Sequence, residues 1–121
     1  MDFAQAVTAH QQWKMRLLLF LSGKSTERLD PSVIERADHC ELGKWIQAEG
    51  KREFAGLKEF KGLQDAHARF HAAAAEAVRK TMAGDKEGAK RIVDGELHEQ
   101  TVQTVMGLNR LRRMSMAGAA Q

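Results

Sequence analysis

Tyrosine is absent from the sequence, and proline and cysteine occur once each, at Pro31 and Cys40. A single cysteine excludes an internal disulfide framework and suits a reducing compartment. With one proline and few β-branched residues, the chain is dominated by Ala, Leu, Lys, Glu, Gln and Arg, which favour helix. The longest apolar run, LLLFL at 17–21, falls far short of the roughly 20 residues that cross a bilayer. The opening MDFAQAVTAH has no basic stretch followed by an apolar one, so no signal peptide is evident; a cytoplasmic protein with no membrane partner is expected. The net charge of +3 comes partly from RLRRM at 110–114, which reads as a helix end suited to the macrodipole. No Gly-rich phosphate loop or nucleic-acid signature accompanies it, so no nucleic-acid partner is expected.

What the sequence does hold is helical periodicity. Its 121 residues, 43% hydrophobic and 29% charged, suffice for one domain with a single modest core, spanning 1–121. Phe3, Ala6, Val7, His10, Trp13, Leu17 and Leu21 share one face of a helix over 2–22, with Gln5, Gln12 and Arg16 opposite. Gly23 reads as a helix stop, and Asp30-Pro31 as an N-cap followed by proline at the first helical position. From Ser32 to Phe54 the pattern is irregular and predicts short helices broken at Gly43 and Gly50. A second long helix over 57–83 carries Phe60, Leu63, His67, Phe70, His71, Ala74, Val78 and Met82 inward, and Asp65, Arg69, Glu76 and Lys80 outward. After a break at AGDKEG, with Asp85 as N-cap, a last helix runs from Lys86 to about Met114 through Ile92, Val93, Leu97, Thr104, Leu108 and Leu111. Residues 115–121 read as a frayed tail. Three long helices and a broken segment predict an all-α, four-helix-type bundle.

Three of the five histidines fall on inward faces. His67 and His71, spaced i, i+4, stand one above the other on one helix, as two imidazoles do when they share a metal. His10 sits in the middle of the first helix's apolar stripe. Burying imidazoles without partners is costly, and a shared ion removes that cost. Three imidazoles and a thiolate form a tetrahedral set that suits Zn2+, with copper a chemical alternative. Such a closed set leaves no position for a hydrolytic water, so a structural or sensory role is expected and an enzyme is not. His39 competes with Cys40 for the fourth place. Neighbours on a helix point about 100° apart, so one ion cannot take both without distorting the backbone. The softer, negatively charged thiolate makes Cys40 the choice. The expected metal ligands are therefore His10, Cys40, His67 and His71. His39 and His98 are not expected to bind.

These residues resemble the chemoreceptor zinc-binding domain family. Its pattern is a histidine shortly before a tryptophan (AHQQWK, His10 and Trp13), a Cys-x-Leu-Gly-Lys-Trp core (CELGKWI, Cys40 to Ile46) and a His-x-x-x-His pair (DAHARFH, His67 and His71). The resemblance spans nearly the whole chain. It implies a helical bundle with a zinc site of three histidines and one cysteine, carried by His10, Cys40, His67 and His71. It also implies attachment to bacterial cytoplasmic chemoreceptors or diguanylate cyclases, and sensing of zinc or of oxidants such as hypochlorous acid. Some members pair as homodimers. No signalling coiled coil or GGDEF-like segment occurs in the sequence.

Two other classes compete. A di-iron bundle of the hemerythrin or ferritin kind needs inward carboxylates, typically Glu-x-x-His pairs. No Glu-x-x-His occurs, and acidic residues such as Asp65 and Glu76 fall on wet faces. A plain helical interaction domain would leave the histidines incidental. Around the zinc reading, Gly43 is expected to permit a close approach after Cys40, and Trp45 to exclude water near the site. Met15, Leu19, Val102, Val105 and Met106 lie off the inner faces, and a homodimer would cover them.

Overall fold

The computed structural model describes the backbone of residues 1–119 and the side chains of residues 1–115. All regular structure among them is helical, with no strand, as expected for an all-α bundle. None of these helices is long and apolar enough to cross a membrane.

Helix α1, Phe3–Leu21, starts at Asp2, whose carboxylate accepts the Gln5 N–H at 3.1 Å. It stops at Gly23, where φ is +76°, a left-handed position that costs glycine little. Helix α2, Pro31–Ile34, is one turn long and is capped by Asp30 through the Ser32 N–H at 2.9 Å. Then follow α3, Glu41–Trp45, a π-helical turn at Ile46–Gly50, and α4, Lys51–Phe54. The long helix α5, Lys58–Met82, turns back at Ala83–Asp85 into α6, Lys86–Ile92, a second π-helical turn at Val93–Leu97, and α7, His98–Ala119.

The two wide turns have a common cause. Leu42, Ile46, Gly50 and Phe54 are all buried at a spacing of four, as are Ala89, Val93 and Leu97. An α-helix advances 100° per residue, so a repeat of four drifts around its surface. A turn with more residues per revolution cancels the drift and keeps each series on one face.

Several expectations are adjusted by this geometry. Gly43 and Gly50 do not break the helices; both are buried inside one helical run from Glu41 to Phe54. A Cβ at Gly43 would lie 1.8 Å from the Ala37 carbonyl oxygen, and one at Gly50 would lie 2.8 Å from the Trp45 ring. Glycine is required there for close approach. Met82, expected inside, is 66% exposed at the last turn of α5. Helix α7 continues to Ala119, past Met114, so most of the expected tail is helical; positions 120 and 121 lie outside the described residues.

The core divides into two apolar clusters. One gathers Leu17, Ile34, Phe70, Ala74, Val78, Val93 and Leu97. The other gathers Ala6, Leu42, Trp45, Phe60, Leu63, Leu108 and Leu111. Helix α1 gives Ala6 to one and Leu17 to the other, and α5 gives Leu63 and Phe70. His10 and His67 stand where their helices pass from one cluster to the other, and His71 lies one turn beyond His67.

Candidate metal centre

His10 from α1, His67 and His71 from α5, and Cys40 just before α3 converge on one point. Their four donor atoms all lie within 4.8 Å of one another. Cys40 Sγ is 3.3 Å from His67 Nε2, 3.6 Å from His71 Nε2 and 4.0 Å from His10 Nε2. The two Nε2 atoms of α5 are 3.0 Å apart. In a tetrahedral zinc site with ordinary bond lengths, S···N separations are about 3.6 Å and N···N about 3.4 Å. The donor set therefore fits Zn2+ in both chemistry and size. His39 and His98 are exposed and are not members of the cluster.

Three of the four donors are aimed from behind. His10 Nδ1–H donates to the Ala6 carbonyl at 2.7 Å, and His71 Nδ1–H donates to the Ile34 carbonyl at 2.8 Å. These bonds fix the tautomer that turns the Nε2 lone pair toward a metal. Ile34 ends α2, where a helix leaves its carbonyls unpaired, so the short α2 supplies an acceptor that no longer helix would leave free. Cys40 is the N-cap of α3, and its sulfur accepts the Gly43 N–H at 3.4 Å. Phe70, fully buried, lies with its ring centre 5.1 Å from that of His10 and 5.3 Å from that of His71. The outer supports Ala6 and Ile34 were not legible in the sequence, because they act through backbone oxygens that any residue carries.

Burial also sets the protonation of the cluster. Desolvation, then the neighbouring His71 and His10, press the His67 imidazole down to about 2. His10 and His71 are lowered too, burial outweighing the carbonyl each one bonds. Burial pushes the Cys40 thiol up, against the pull of the Gly43 N–H. The imidazoles are thus held in the neutral, metal-binding form, while the thiol keeps its proton until a metal displaces it.

Cys40 is only partly buried and is reached from two sides. A groove of about 530 Å³ runs past Asp2, His10, Cys40, Lys44 and Trp45. A second, of about 370 Å³, runs past Trp13, Arg28, Arg36, His39, Cys40 and His71. Trp13 is roofed by the Arg16 guanidinium, 3.8 Å above its ring, and Arg16 forks onto Glu27. Trp45 packs edge-on against Phe3 and Phe60 and closes the apolar side of the first groove.

The chain matches one family model, the chemoreceptor zinc-binding domain, over residues 10–78. The matched segment covers more than half of the chain and holds all four members of the cluster. The chain belongs to this family. No curated protein and no solved structure matches it. A zinc-binding domain of the chemoreceptor type, with Zn2+ as its metal, is what the family and the cluster of three histidines and one cysteine together support.

Proposed function

We propose that His10, Cys40, His67 and His71 are the four zinc ligands of a non-enzymatic sensory domain in which Cys40 is the responsive group. The observation that carries this reading is the convergence of the four donor atoms within 4.8 Å, on a cysteine that two open grooves still reach. Zinc supplies a positive charge that keeps Cys40 as the thiolate, the form that oxidants attack. The thiolate sulfur gives two electrons to hypochlorous acid and takes its oxygen; the products are a sulfenic acid and chloride. The sulfenic acid is a weaker ligand than the thiolate. His10, His67 and His71 alone would hold the ion less firmly, and the start of α3 would lose its tether through Cys40 to α1 and α5, leaving the run from α3 to α4 held by its apolar contacts alone. Relay to a chemoreceptor or diguanylate cyclase partner, in the cytoplasm, follows as the output of that movement. The moving piece is the whole helical run rather than a segment hinged at its glycines.

Metal analysis and oxidant titration test the reading. Purified protein should carry about one zinc per chain, and neither iron nor an empty site. His67→Ala or His71→Ala should abolish tight zinc binding and lower the melting temperature, because bound zinc contributes folding free energy. His39→Ala and His98→Ala should do neither. A zinc-free His39→Ala protein beside a zinc-loaded Cys40→Ala protein would reverse the assignment of the fourth ligand. Stoichiometric hypochlorous acid should release zinc with sulfenic acid formed at Cys40. Retention of zinc with Cys40 unmodified would leave metal binding and end the sensing proposal.

A further inference from the structure

Five polar side chains are buried in the described part of the fold: His10, His67, His71, Gln100 and Thr104. Three are in the metal cluster. Gln100 donates to Glu96 at 3.1 Å. Thr104 is fully buried, and among the described residues its hydroxyl is the one buried side-chain polar atom without a hydrogen-bond partner.

Helical threonines ordinarily relieve this by bonding the carbonyl four residues back. Thr81 does so to Ala77 at 2.9 Å and Thr101 to Leu97 at 2.7 Å. Thr104 makes no such bond to Gln100. Its hydroxyl is therefore free for a partner on another element.

The level of Thr104 in the bundle identifies that partner. Helices α5 and α7 run antiparallel, joined by the tight turn at Ala83–Asp85. Gly107 packs against Leu63, its missing Cβ 3.2 Å from the Leu63 side chain. One turn along α7 from Gly107 is Thr104, and one turn along α5 from Leu63, in the same direction in space, is His67. Helix α1 leads to the same layer. The cluster of Leu108 takes Ala6 from α1, and the cluster of Leu97 takes Leu17; His10 and Thr104 lie between. His67 also lacks a backbone hydrogen bond of the kind that joins His10 Nδ1 to the Ala6 carbonyl and His71 Nδ1 to the Ile34 carbonyl.

Resting on the reading of His67 as a zinc ligand, we infer that Thr104 is its positioning residue, its hydroxyl accepting the Nδ1 proton directly or across one water in the zinc-loaded protein. Every histidine of the site then has an outer support: two backbone carbonyls and one side chain. Thr104 lies beyond residues 10–78, the segment that matches the family. Helix α7 thus completes a site to which it gives no ligand.

Thr104→Val tests this, because valine keeps the shape and removes the hydroxyl. Zinc affinity, measured against a chromophoric chelator, should fall by about tenfold or more, the usual loss when a ligand's outer partner is removed. Thr104→Ser should restore it. Metal-free Thr104→Val should be no less stable than the metal-free parent, since an unpartnered buried hydroxyl has gone. With Co2+ in place of zinc, the visible bands should shift in Thr104→Val and return in Thr104→Ser. Parental zinc affinity and parental Co2+ bands in Thr104→Val would overturn the inference. So would a loss of affinity matched by equal destabilisation of the metal-free form, which would mark Thr104 as packing alone. Parental zinc binding by His67→Ala would instead remove the ligand assignment beneath it, and the inference with it.

Discussion

The imidazole Nδ1 of His71 donates to the carbonyl of Ile34 at 2.8 Å, joining the middle of α5 to the last residue of the one-turn helix α2. The bond makes the aim of a proposed metal ligand depend on where a four-residue helix sits. That helix is positioned by its start, where Asp30 accepts the Ser32 N–H and Pro31 fixes the first φ. It is also held by Glu35, just beyond it, whose carboxylate accepts from Arg79 of α5 at 2.9 Å.

A cap remote from the donor atoms should therefore tune the metal site. Asp30→Ala should lower zinc affinity a few-fold to about tenfold, within the range for outer supports. Asp85→Ala removes the comparable cap of α6, at the far end of α5, and should lower stability without changing zinc affinity. Chelator competition on both variants reads the difference. Equal affinities in both would detach α2 from the site.

The two glycines Gly43 and Gly62 should respond oppositely to alanine. At Gly43 a Cβ would lie 1.8 Å from the Ala37 carbonyl oxygen, a backbone atom that cannot swing aside. Gly43→Ala should push α3 away, carry Cys40 with it and weaken zinc binding by orders of magnitude. Nothing lies within 4 Å of a Cβ at Gly62, on the exposed side of α5. Gly62→Ala should leave zinc binding intact and raise stability by about 0.5–1 kcal/mol, the helix preference of alanine over glycine. Thermal melts with and without zinc check both.

Gly43 also shows what was legible in the sequence. The long helices followed from apolar spacing, and Asp30 and Asp85 as caps and Gly23 as a stop marked helix ends. The four clustered residues were legible because side-chain chemistry betrays itself: an imidazole on an apolar face, at i, i+4 from another, has few reasons to be there. Gly43 and Gly50 showed as breaks, because glycine signals backbone freedom and close packing alike. The acceptors at Ala6 and Ile34 left no trace at all. Met82 completed an inward period by spacing, but the helix outruns the core before reaching it.

The dimer reading makes a prediction at the exposed apolar residues of α1 and α7. Met15 is 61% exposed, with Leu19 one turn on, and Val102 and Met106 stand exposed one turn apart on α7. Helices α1 and α7 pack on one another. We propose that a second copy covers them. Met15→Glu should then shift the mass seen by light scattering from two chains toward one, with zinc content unchanged. A parent protein that scatters as a monomer at high micromolar concentration counts against the dimer.

The last prediction concerns pH, and its sign follows from burial. In the metal-free protein His67 titrates at about 2 when folded and near 6.5 when unfolded. His10 and His71 are shifted the same way. Below 6.5 the unfolded chain takes up protons that the folded chain refuses, so its population is favoured. The stability these histidines lend is whole above 6.5 and drains as the pH falls below it, for His67 down toward 2. For His67 alone the slope is about 1.4 kcal/mol per pH unit, steep against a total of about 5–15 kcal/mol for a domain. Cys40 sets the other edge. Its thiol, raised by burial, keeps its proton in the fold while the unfolded thiol loses its own near 9.0, so stability falls again as the pH rises through that value. Denaturant midpoints of the metal-free protein should therefore plateau between about pH 6.5 and 9 and drop on both sides. With saturating zinc the whole curve should rise, and its acid limb should steepen, because protons would then compete with the metal at the four proposed ligands. A metal-free midpoint that is unchanged or higher at pH 5 than at pH 7 would mean that the three imidazoles are not held neutral in the fold.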